Sequence, residues 1–341
     1  PPAPYNNPAP AGAATFDSSF GTDGANMNGT WSLYIRDDAG LGGGKIAGGW
    51  SLTFDVSDYT CGAIAPPKSR ADFDGDGKTD LSVFRPSDSV WYLQRSQAGF
   101  TAVQFGVASD VLTPGDYDGD NKADIAVWRP SSGTWYRLNS SNGTFVGVQF
   151  GANGDIPQAG DFDGDSKDDL AVWRPTDGYW YRLNSGNGQF LATQFGASGD
   201  RPVGGDYDGD GKDDLAVFRP ADGTWYRLNS SNGGFSGVSF GLSSDLVAPA
   251  DYDGDNKEDI CVFRPSDGTW YRLNSNGGGL VVIQFGASGD VPVPGDYDGD
   301  GKDDQAVFRG GVWYLNRSTA GFTGAAFGIS TDRAIPKQYI P

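Results

Sequence analysis

Six times in this sequence, four aspartates stand at positions 1, 3, 5 and 9 of a nine-residue segment reading D-[FY]-D-G-D-x-K-x-D. The copies are Asp72, Asp74, Asp76 and Asp80; Asp116, Asp118, Asp120 and Asp124; Asp161, Asp163, Asp165 and Asp169; Asp206, Asp208, Asp210 and Asp214; Asp251, Asp253, Asp255 and Asp259; and Asp296, Asp298, Asp300 and Asp304. Carboxylates this close repel one another unless a cation sits between them. A run of alternating aspartates gives a hard cation several oxygens from one segment, and Ca²⁺ accepts about six to eight at loose angles, whereas Mg²⁺ gives up its water reluctantly. Position 7, which is Lys78, Lys122, Lys167, Lys212, Lys257 and Lys302, adds a backbone carbonyl. Position 6 is Gly77, Asn121, Ser166, Gly211, Asn256 and Gly301, mostly residues that tolerate the left-handed backbone of a sharp turn. The reading is one Ca²⁺ per copy, about six ions in all. In the blander reading the aspartates only cap turn amides, but six copies of four carboxylates weigh against it.

Position 12 is valine in every copy (Val83, Val127, Val172, Val217, Val262 and Val307), where a helix-loop-helix calcium site places a bidentate Glu. These loops must therefore join other elements. The chain has no histidine, which removes histidine-dependent triads, imidazole acid–base schemes and His-metal sites, so any metal must be held by oxygen. A formal charge of −19 argues against nucleic acid and anionic membranes; six bound dications would bring it to an ordinary −7. No apolar run is long enough to span a bilayer. The chain opens on Pro without a basic-then-apolar leader and reads as a mature product, secreted or at the cell surface. In that compartment Cys61 and Cys261 either form a disulfide or, since sister repeats carry Ala at the position of Cys261, leave it a buried free thiol.

The first aspartates of the copies are spaced by 44 residues once and 45 residues four times, a period that signals a propeller or solenoid. Each unit holds four strand-like runs: a Val-Pro stretch before the aspartates, LAVFRP, TWYRLN, and a run ending in Phe-Gly such as VGVQFG. Ser-Asp-Gly and Ser-Asn-Gly between the later runs suit tight hairpins. Four antiparallel strands per period make a propeller blade. The expected fold is all-β: a six-bladed β-propeller, with seven blades as the alternative, preceded by a small partial β-sandwich. Proline in the first run places that strand at an inner edge. Trp91, Trp135, Trp180, Trp225, Trp270 and Trp313 recur at one phase, which suits packing between blades better than a ligand platform. The first repeat lacks its Val-Pro run, while the tail DRAIPKQYIP supplies one, with Gln338 where the first aspartate would stand. That tail is expected to complete blade one and close the ring.

DFDGDGKTDLSVF, with its downstream QFG and five sister copies, resembles the FG-GAP or VCBS-type repeats of integrin α-subunit propellers and of many secreted bacterial proteins. The resemblance covers 72–341 and implies a calcium-binding propeller, its ligands the aspartates at positions 1, 3, 5 and 9 and the position-7 carbonyl. Integrin propellers usually have seven blades with fewer loops filled. Upstream, NGTWSLYIRDDAGLGGGKIAGGWSLTF resembles the closing strands of the P-domain β-sandwich found beside secreted subtilisin-type proteases. The expected organisation is a Pro-rich arm at 1–12, a partial sandwich at 13–57, a linker at 58–71 and the propeller at 72–341.

Half a sandwich leaves unpaired strand edges that invite a partner strand. One reading has the arm docking head-to-tail on a second copy to build a fibre; the others fold it back on its own propeller or make the chain part of a longer protein. Three functions follow. The first is a non-enzymatic structural or adhesive surface protein stiffened by calcium, with itself or surface glycans as partner. The second is a lectin, using Trp, Asp and Arg of the SDGTWYRLN hairpins. The third is a glycosidase, since Ser266-Asp267-Gly268-Thr269-Trp270 resembles a sialidase Asp-box turn; hydrolysis needs individually placed carboxylates, which the repeats do not offer. Glycosylation sequons stand at Asn28, Asn139, Asn142, Asn229 and Asn316.

Overall fold

Leu-Ala-Val-Phe at 215–218 is apolar at four consecutive positions, and such a strand is stable in water only if both faces are covered. In the computed structural model, which describes residues 71–335, all four side chains are buried. Strand Leu215–Arg219 pairs antiparallel with Thr224–Leu228, which pairs with Phe235–Ser239, while Arg201–Pro202 lies along its other side. Five further four-stranded sheets repeat this order, so the described residues form a six-bladed all-β propeller. Expectations placed on the arm, the partial sandwich, the linker before Ala71, Asn28, Cys61 and Gln338 lie outside the described residues.

Burial falls from the inner strands outward. The second strand of each blade is buried almost throughout, whereas the fourth alternates exposed and half-buried, as in Phe145–Gln149 and Phe190–Gln194. Pro202 sits in the innermost strand, opposite Val217, where the free edge needs no N–H donor.

The tryptophans join blade to blade. Trp225 is fully buried with Val203 and Phe218 of its own blade and Val247, Ile260 and Val262 of the next. Its indole N–H donates to the Phe240 carbonyl at 2.9 Å. Trp225→Ala is expected to cost about 3–5 kcal/mol and to lower the melting temperature by about 10 °C, read from a thermal melt.

A second fastener was not foreseen from the sequence. Buried Asp110, Asp155, Asp200, Asp245, Asp290 and Asp332, just ahead of each inner strand, each bind a guanidinium through two hydrogen bonds, from Arg129, Arg174, Arg219, Arg264, Arg309 and Arg85 respectively. Each guanidinium also lies over a third-strand tyrosine, as Arg219 does over Tyr226 at 4.4 Å.

The ring closes where the tail returns. Ala334 and Arg333 pair with Val83 and Phe84, and the Ile335 amide donates to the Ser82 carbonyl at 2.9 Å. Cys261 is buried and free among the described residues, its thiol pushed up to about 12 by burial, while its pairing with Cys61 lies outside them.

Candidate metal centres

Five of the Asp segments link a blade's first strand to its second, and the earliest, 72–80, leads into Leu81–Arg85, whose inner partner strand comes from the tail. The chain reverses there on glycines with positive φ, Gly75 at +79° and Gly77 at +86° in the first loop, while Asn121, Ser166 and Asn256 take the same left-handed conformation at position 6. The position-1 carboxylate organises the turn: Asp161 accepts the amides of Gly164 at 2.6 Å and Ser166 at 2.7 Å. Asp165 at position 5 accepts the Lys167 amide at 2.9 Å. Position 9 is the most deeply buried. Asp169 accepts the Phe162 amide at 2.9 Å on one oxygen and the Ser185 amide at 2.6 Å on the other.

The hairpin between third and fourth strands folds over each loop. Ser140 and Ser141 donate hydroxyls to Asp120 at 2.9 Å and Asp118 at 2.6 Å, and Ser230 and Ser231 repeat this on Asp210 and Asp208. These serines were missed as site residues. Their signal was a serine 16 residues after the position-9 aspartate in five of the six repeats.

Carboxylate oxygens from three aspartates lie within 4.8 Å of one another in Asp72, Asp74 and Asp80; Asp116, Asp118 and Asp120; Asp161, Asp163 and Asp169; Asp206, Asp208 and Asp210; and Asp251, Asp253 and Asp255, with one further group. Positions 1 and 3 belong to all five named groups, joined by position 9 in two and by position 5 in three. The lysine side chains turn away: Lys212 Nζ donates to the Asp163 carbonyl of the preceding loop at 3.0 Å.

Whether the residues fit a cation can be tested at position 3. Asp74, Asp118 and Asp298 each keep one buried carboxylate oxygen without a hydrogen-bond donor, and Asp253 keeps both. A buried anionic oxygen without a partner is costly, and a dication inside the loop would satisfy it. In the ion-free chain, burial, with neighbouring aspartates adding, pushes Asp80 up to about 7 and Asp124, Asp169, Asp259 and Asp304 up to about 6. The loops fit a hard divalent cation, so that a cluster able to hold a metal ion is present in each blade.

The tryptophans of the hairpins between second and third strands are buried and offer no face on which a sugar could stack. In the fifth blade the Trp270 indole donates to the Phe285 carbonyl at 2.7 Å, and the guanidinium of Arg272 from the same hairpin lies over Tyr252 at 5.2 Å. Asp267, in the turn that resembles an Asp box, accepts the Thr269 amide at 3.0 Å.

A family model described as FG-GAP-like repeat matches five overlapping segments, 72–127, 116–172, 161–217, 206–262 and 251–307. Among solved structures, TolB from Acinetobacter baumannii is similar with a TM-score of 0.55 and 17% identity, over 77% of this chain and 66% of that one. An Agrocybe aegerita lectin that recognises non-reducing terminal N-acetylglucosamine gives 0.49 and 17%, over 73% and 76% of the two chains. Virginiamycin B lyase from Staphylococcus aureus gives 0.46 and 9%, over 76% and 88%. At such identities the likeness speaks of the fold alone. No curated protein matches the chain in sequence.

Proposed function

The chain belongs to the FG-GAP-like repeat family, and from that membership we propose that it is a calcium-stiffened, non-catalytic scaffold acting outside the cell in structural or adhesive contacts. The observation that carries the calcium reading is the set of buried position-3 oxygens that no protein donor satisfies. The ligands would be the carboxylates at positions 1, 3, 5 and 9 with the position-7 carbonyl. Calcium would supply charge neutralisation and a fixed loop shape, and no chemistry beyond that. Weak calcium modules, with dissociation constants on the order of 10⁻⁴–10⁻³ M, are filled in extracellular fluid, which favours action outside the cell.

The rim favours contact over catalysis. Phe100, Phe145, Phe190, Phe235, Leu280 and Phe322 open the fourth strands and are 58–66% exposed, one per blade. Most acids among the described residues serve the loops and the arginine pairs, and Asp88, Asp177, Asp222 and Asp267 accept amides of the turns between second and third strands, which supports a non-catalytic reading.

Isothermal titration of the chelated chain with CaCl₂, paired with metal analysis by mass spectrometry, tests the proposal. About six ions per chain are expected, with Asp208→Ala removing one, and Mg²⁺ binding much more weakly. A chain that takes up no calcium at millimolar concentration would refute it. A glycan array run in calcium is expected to be blank; specific hits would turn the scaffold into a lectin.

A further inference from the structure

The six loops touch one another in a fixed pattern. The amide at position 8 donates to the position-1 carbonyl of the preceding loop: Thr79 to Asp296 and Ala123 to Asp72 at 2.6 Å, and Asp168 to Asp116, Asp213 to Asp161, Glu258 to Asp206 and Asp303 to Asp251 at 2.7 Å. Thr79 reaches from the first loop to the sixth, so the series has no end. Side chains strengthen junctions as well: Asp168 accepts the Asp116 amide at 2.8 Å and Asp303 the Asp251 amide at 3.0 Å. The position-7 lysine stems also lie on the preceding loop. A Cβ built on Gly119 would stand 2.7 Å from Lys167 Cε, and one on Gly209 equally close to Lys257 Cε.

We infer that the loops take up calcium as one cooperative ring, each peptide unit between positions 7 and 8 being shared by two neighbouring cages. This rests on the calcium reading above. The carbonyl of that unit, from Lys212 for example, is the ligand proposed for its own loop, while its N–H, on Asp213, holds the carbonyl of Asp161 in the loop before. A cation on the carbonyl draws electron density from the peptide group and makes the N–H a stronger donor, as hydrogen bonds in series polarise one another. The held carbonyl belongs to Asp161, whose carboxylate is a ligand of the preceding cage. Filling one cage therefore fixes the first ligand residue of its predecessor, and linkage makes the favour mutual. In an open array the terminal units would each lack a neighbour; here all six have two.

The test uses the whole chain, with hydrogen–deuterium exchange of the six position-8 amides followed against calcium concentration and bound calcium counted in parallel. Coupling predicts that the six amides gain protection at one common midpoint with a Hill slope above about 1.5, and that Asp163→Ala in the third loop raises the midpoints of the second and fourth by about fivefold or more. Asp168→Asn, which weakens a junction without being one of the proposed ligands itself, is expected to lower the slope while six ions still bind. Six ions bound with unit slope, and variants that leave neighbouring loops unmoved, would overturn the coupling alone. A chain that binds no calcium would overturn both readings, and the count of bound ions tells the two failures apart.

Discussion

Chelating calcium at neutral pH is expected to lower the melting temperature of the propeller by about 20 °C or more. A site at a hundred times its dissociation constant adds about 2.7 kcal/mol, so six sites together weigh more than any single side chain, and about 2–4 °C accompanies each kcal/mol in a domain this large. The direction of the pH dependence should also reverse. In the chelated chain Asp80 is pushed up to about 7 and four sister aspartates to about 6. Unfolded aspartate titrates near 3.9, so between about pH 4 and those values the folded chain holds more protons than the unfolded one. Its stability must rise as pH falls through that window and be lost as pH climbs back. With calcium bound the carboxylates are held ionised, folded pKa values drop below the unfolded ones, and acid destabilises. Thermal melts at pH 5 and pH 8, with and without chelator, read both signs; the same sign in both series would contradict the ligand assignment.

Ending the chain after Thr331 is expected to lower the melting temperature by about 10 °C or more and to convert a dispersed protein into one that self-associates. The truncation removes the strand that pairs with Val83 and Phe84, the buried side chains of Ala334 and Ile335, and the Asp332 partner of Arg85. Depriving a well-buried ion pair of one member costs about 3–5 kcal/mol, an upper figure here because Arg85 is partly exposed. The freed edge of Leu81–Arg85 then offers unpaired amides and carbonyls to another chain. Light scattering and a melt on the truncated protein test this; an unchanged melting temperature and a sharp monomer peak would show that the ring does not need its clasp.

Repetition made most of this architecture legible. Valine at position 12 and tryptophan at one phase of the third strand were multiplied across copies until chance could not account for them, the spare tail matched the run that repeat one lacks, and the blade number, the inter-blade tryptophans and the closing strand all stand where the residues placed them. The aspartates at positions 1 and 3 come together in every named cluster, again as spacing implied. What escaped were one ion pair within each blade and the backbone contacts between neighbouring loops. Residue type did not set Asp200 apart, and only the fold brings Arg219 to it across 19 positions. The position-8 amides were invisible for a simpler reason: a backbone N–H leaves no mark on residue type, and Thr79, Ala123, Asp168, Asp213, Glu258 and Asp303 have no one side-chain type in common. Trp270 was legible as a functional group but not as an occupied one, and burial withdrew it from the surface.

Trp225 touches residues of the following blade as closely as those of its own, and Trp180 does the same with Leu215 and Val217. An isolated blade would thus leave its largest side chain facing water, so no single repeat is a viable ancestor or fragment on its own. Descent by duplication has to proceed in whole wedges, each bringing the cavity that receives its predecessor's indole, and a loss or gain of one unit changes the girth of the hoop without rewriting any of its joints.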